Sequence, residues 1–223
     1  MKSIIYSKIY LLAILALFSI SCEKTVSGSE PDLSDTLDPV EGVTLIPGGD
    51  NATIQVNKNH QTAYFNLQLS DIGTNELIEN GTKEAWCIDW TKPIQSSNTT
   101  YSGIKLYSTD MVDKWKPVNY LLNISQDLRS GDPDLTWREI QLVVWSLRAN
   151  PEFDLNTVAT EDLPSSFQTE NGERNFDAQK VTDILAMVEA GYEDFDFSSG
   201  TKFAVIAETP VDIQTVFVVV EKK

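Results

Sequence analysis

A chain of 223 residues with 33 acids against 17 bases, for a formal charge of −16, is poorly suited to nucleic acid or to anionic lipid headgroups. Its hydrophobic share of 41% is enough to bury one core, and its length fits a single folded domain better than two. Two cysteines and one histidine give too few soft ligands for a metal site, and no segment implies a cofactor.

Lys2 and Lys8 precede an apolar run from Ile9 to Ile20, the span of a signal h-region and too short to cross a bilayer as a helix. Ser19-Ile20-Ser21-Cys22 resembles a bacterial lipobox, with Ser19 where leucine is usual. That resemblance implies cleavage after residue 21 and lipidation of Cys22. Ser19 and Ser21 also suit ordinary signal peptidase. Cleavage at either place removes two lysines and no acids and takes the formal charge to −18. Residues 22–42 hold Glu30, Asp32, Asp35, Asp38 and Glu41 among Ser and Pro, and read as an acidic flexible tether. The expectation is an extracytoplasmic protein, at the outer membrane or cell surface, that meets the membrane through its lipid anchor only.

Residues 43–223 form the expected domain. Ala52, Ile54 and Val56 alternate with polar neighbours, as do Phe65, Leu67 and Leu69, and both runs read as strands. Asn80-Gly81 is a turn signal before a third run, Lys83 to Trp90. There Trp86, Ile88 and Trp90 share one face, and Ala85, Cys87 and Asp89 the other. Ile104 and Leu106 mark a further strand. The period then changes: Val118 to Ile124 reads as a short helix, Thr136 to Arg148 as a stronger one stopped by Asn150-Pro151, and Asp177 to Ala190 as a third with Gly191 past its end. Phe203 to Ala207 and Ile213 to Val220 are apolar on both faces, as strands inside a packed sheet are. The expected fold class is α+β, mainly β: an antiparallel β-sandwich with a helical insertion at about 110–192 between the early and the last strands.

With Cys22 acylated, Cys87 is left as a lone thiol in an oxidising compartment, without an intramolecular disulfide partner. Gln141 is the second oddity. It sits in the middle of the helix from Thr136 to Arg148, ringed by Trp137, Ile140, Val144 and Trp145, where an unpartnered amide costs about 1–3 kcal/mol. A sulfur against that carboxamide can displace ammonia and leave a thioester. A well-oriented pair gains an effective molarity of order 10⁵ M or more.

Trp86-Cys87-Ile88, followed by Gln141-Leu142-Val143-Val144-Trp145, resembles the paired motifs of bacterial thioester domains, found at the tips of surface adhesins. Val118 to Asn123 resembles the short helix such domains carry between the motifs. The likeness spans about residues 84–148. Ile140 and Val143 stand where that family usually has threonine and alanine. The resemblance implies a Cys87–Gln141 thioester in a pocket formed by Trp86, Trp137, Ile140, Val144 and Trp145. It also implies capture of a partner, usually through a lysine amine, on a host or neighbouring cell. Such capture is a single substitution without turnover, so no enzyme is expected.

Other readings stay open beside it. Cys87 is also explained as a buried inert thiol in a non-covalent binding or assembly lipoprotein, and Gln141 as a residue that bonds backbone at a sheet edge. A bond that is only structural is a third reading. Trp86, Trp90, Trp137 and Trp145 read as core, Trp115 as the exposed tryptophan, lining a groove with Tyr101 and Tyr107. His60 reads as a solvated residue of a polar turn, with no third group to make a protease-like dyad with Cys87.

Overall fold

The structure, a computed structural model, describes residues 42–223. The expected signal, Cys22 and all but the last residue of the expected tether lie outside them. The described residues form seven strands: β1 (Thr44–Leu45), β2 (Ala52–Lys58), β3 (Phe65–Ser70), β4 (Gly81–Cys87), β5 (Ser97–Ser108), β6 (Lys202–Glu208) and β7 (Val216–Glu221). Between β5 and β6 run α1 (Lys116–Gly131), α2 (Trp137–Arg148) and α3 (Ala178–Gly191).

All pairings are antiparallel, and six strands in the order β5-β2-β3-β4-β7-β6 close on themselves because β6 also pairs with β5. β1 adds to β5 outside the ring. The fold is therefore a closed barrel with helices, and the expected sandwich is wrong. β5 explains the closure. Its first part pairs with β2, and its last four residues, Lys105 to Ser108, pair with β6. Near the end of the part paired with β2 the register slips, from Ile54 opposite Tyr101 to Ala52 opposite Ile104, which leaves an extra residue on β5. Gly103 sits in that bulge at φ +74, a conformation costly to residues with a Cβ. Bulges bend a strand and raise its twist, which lets one strand turn the corner of a barrel.

Register assigns the two faces. Ile54 and Val56 of β2, Phe65, Leu67 and Leu69 of β3, and Val216, Val218 and Val220 of β7 are buried and point inward with Ala85 and Cys87. On β2 and β3 the outward residues are polar and partly exposed, which is the alternation visible in the sequence. On β4, β6 and β7 the outward residues include Trp86, Ala204, Ile206 and Phe217, all buried. The helices cover this wall, with α1 against β6 and α2 against β4. That cover makes β6 and β7 apolar on both faces.

The helices begin and end for identifiable reasons. Thr136 caps α2 by accepting from Arg138 N at 3.1 Å, while Glu139 accepts from Thr136 N at 2.9 Å, a capping box that satisfies two terminal donors. Glu139 also accepts from Asp177 N at 3.0 Å and so ties α2 to the start of α3, where Asp177 caps Gln179 N and Lys180 N. α1 is longer than expected, because its second half is polar on the outside and loses the apolar period. Trp115 reverses its expectation. It is fully buried beside Phe217, with ring centroids 5.6 Å apart, and so cannot join Tyr101 and Tyr107 in an exposed groove.

Candidate functional site

Cys87 ends β4. Trp86 and Ile88 direct their backbone groups toward β7, since Trp86 is paired with Phe217 and Ile88 N donates to Thr215 O at 3.0 Å. Ala85 and Cys87 therefore face β3. β3 begins at Phe65, opposite Ala85, so nothing in the sheet meets the next rung at Cys87. Gln141 fills it. Its Oε1 accepts from Cys87 N at 2.8 Å and its Nε2 donates to Cys87 O at 2.9 Å. The carboxamide of a helix residue thus stands where a third strand residue would be. Both side chains are fully buried. Without Gln141, two buried backbone groups would be orphaned at about 1–3 kcal/mol each.

The sulfur has its own partner, which sequence reasoning missed. Cys87 Sγ donates to Gln214 Oε1 at 3.1 Å, and Gln214 Nε2 donates to Asp89 O. Gln214 lies just before β7 in phase with inward Val216, Val218 and Val220. Its period-2 place among those valines is the signal that could have revealed it. Its own backbone N donates to Pro93 O at 3.0 Å, which fixes the loop. Burial, then the nearby Asp89 carboxylate, pushes the Cys87 thiol well up, so it stays protonated at neutral pH. Asp89 is itself raised by burial, against the pull of Lys92 at 3.2 Å.

Of the expected pocket residues, Trp137, Ile140, Val144 and Trp145 are buried on the same helix as Gln141. Trp86 faces away from the sulfur, outward beneath the helices, by the alternation of β4. Trp137 and Trp145 belong to an aromatic cluster with Tyr64 and Phe167, with Trp137 centroids 4.9 Å from Tyr64 and 5.2 Å from Phe167. Burial, then the charge of Cys87, raises the Tyr64 hydroxyl pKa. His60 is a partly buried member of the group and not a freely solvated loop residue. Its ring stacks on Trp137 at 4.5 Å and its backbone is left-handed at φ 56.

Among the described residues no group of three or more His, Cys, Asp or Glu is arranged to hold a metal ion, and no helix is long and apolar enough to cross a membrane. Comparison with protein-family models, with curated proteins and with solved structures finds no match to this chain.

Proposed function

We propose that the barrel forms an internal Cys87–Gln141 thioester and uses it once, to attach covalently to an amine on a partner. The observation that carries this reading is the Gln141 carboxamide seated on Cys87 itself, with both residues fully buried. Adding a carbonyl bond to the hydrogen bond from Cys87 N puts the Gln141 amide carbon within about 4 Å of that nitrogen. Rotation about the Cys87 Cα–Cβ bond moves the sulfur relative to that carbon.

The reaction balances without a co-reactant. The thiol sulfur adds to the amide carbon, the charge that develops on Oε1 falls on the Cys87 N–H, and the thiol proton leaves with Nε2 as ammonia. The product is a thioester in apolar surroundings that slow hydrolysis. A partner amine then attacks the same carbon, an amide forms, and Cys87 departs as a thiol. In this reading the chain is held at a membrane by lipidated Cys22, displayed outside the cytoplasm, and the partner supplies a lysine amine.

A second reading has its own support. The same two hydrogen bonds complete the rung that β3 leaves open, and the sulfur bonds to Gln214. On that reading the protein is a non-covalent binding or assembly module with an inert thiol. Intact mass separates the two. The purified protein should be lighter than its sequence by one ammonia, methylamine should add whole to leave it one CH2 heavier than its sequence with a free thiol, and Cys87→Ala should carry no deficit. Full mass with an ordinary thiol, in protein kept at neutral pH without amines, would leave only the second reading.

A further inference from the structure

We propose that the cleft between α1 and the outer wall of β4 and β7 is a binding site for a small carboxylate. It encloses about 330 Å³. Residues Leu122 to Ser130 of α1 form one side at helical spacing, and the outward residues of β4 and β7 form the floor, with Lys202 at the rim. Its volume lies at the small end of ligand pockets.

The donors in its walls point to the ligand. Trp86, only 2% exposed, forms part of the floor, and its indole Nε1 has no hydrogen-bond partner among the described residues. Arg129 also lines the cleft and is in the same condition at Nε, although one of its terminal nitrogens donates to Thr62 O. Buried N–H groups are nearly always paired, and two orphans lining one cleft call for an acceptor. The Lys202 ammonium makes no ion pair among the described residues.

Charge selects among acceptors. Arg129 and Lys202 outnumber the one acid in the walls, Glu84, while Glu221 stands opposite Lys202 on the β6–β7 ladder just outside them, on a chain of formal charge −16. A cation has no place beside those donors. Glu84 disfavours a dianion such as phosphate, whereas a carboxylate monoanion matches the remaining charge. Its two oxygens suit an indole N–H and a guanidinium N–H together. The site rests on the outward face of β4 and does not depend on any bond at Cys87.

The test follows the indole N–H signals of ¹⁵N-tryptophan-labelled protein, with Trp86 assigned through Trp86→Phe. Sodium acetate is the free-acid probe, a capped aspartyl peptide the protein-borne one, and sodium phosphate the control for general charge, all at constant ionic strength. Saturable movement of the Trp86 signal with acetate, the peptide or both is expected, and it distinguishes a free acid from a carboxylate carried by a partner. Arg129→Gln and, separately, Lys202→Gln should each weaken binding by about tenfold or more in protein whose other indole signals are unchanged. A Trp86 signal that stays still with both carboxylates, that moves equally with phosphate, or that responds undiminished in both variants overturns the proposal.

Discussion

Gln141 on α2 and Asn123 on α1 make the same pair of hydrogen bonds in two parts of the molecule. β4 outruns β3 at Cys87, and Gln141 takes the N–H and C=O left over. β6 outruns β5 at Lys202, since their pairing stops at Ser108 opposite Val205, and Asn123 accepts from Lys202 N at 3.1 Å and donates to Lys202 O at 2.8 Å. Each carboxamide is a one-residue substitute for a missing strand. The difference lies in what surrounds it. Asn123 is half-buried above a lysine whose side chain points to a cleft, whereas Gln141 is sealed above a cysteine. The rung explains a glutamine at position 141 as well as it explains an asparagine at 123. Burial and the sulfur set the first apart, so Asn123 is the internal control for any claim about chemistry at Gln141.

The largest effect is expected from Gln141→Ala. It orphans Cys87 N and O in a dry interior and leaves a void, a loss of about 3–5 kcal/mol in urea unfolding. Asn123→Ala removes an equivalent pair, together with a bond from Thr201 N at 2.7 Å, but at a place that water can reach. Its cost should be about 1–2 kcal/mol. Equal losses would mean that burial does not separate the two sites. If a thioester also braces the wild type, Cys87→Ala should lower stability well beyond the loss of one buried sulfur, while Asn123→Ala is indifferent to the state of Cys87.

Gln214→Leu comes next. It keeps the volume, takes away the acceptor of the Cys87 thiol and leaves Asp89 O without its donor, for a loss of about 1–2 kcal/mol. Because Gln214 holds the sulfur in its present direction, the variant should also contain more of the ammonia-deficient species by intact mass. An unchanged fraction would show that Gln214 does not restrain the thiol.

These two glutamines show what could be read beforehand. Gln141 is legible because a polar residue in an all-apolar helix turn needs a partner. Gln214 is masked in sequence because it continues the inward phase of an otherwise apolar run of valines. Strands β2 and β3 were legible because one face meets water, and β6 and β7 because neither does. Barrel closure was not legible. A sandwich and a barrel bury the same alternating residues, and the deciding feature is a slip of one residue near Gly103 that lets β5 serve two neighbours. Trp115 misled for a related reason. Its flanking lysines mark the exposed side of a turn whose other side packs on Phe217.

The smallest effect, and the one that probes the aromatic flank of the sulfur, comes from His60. Burial, followed by the charges of Lys58 and Arg138, lowers its pKa in the folded protein. The unfolded chain therefore accepts a proton near the ordinary histidine value of 6.5 that the native stack on Trp137 resists. A depressed histidine contributes stability that is fully present above the unfolded pKa. That stability is lost as pH falls toward the folded one, then levels off below it. Partial exposure keeps the sum to about a few tenths of a kcal/mol. Urea midpoints between pH 7.5 and 5 should fall slightly more in wild type than in His60→Gln. A wild-type profile parallel to that of the variant would mean that the imidazole titrates as it would in water, and that the stack over Trp137 opens freely beside the buried cysteine.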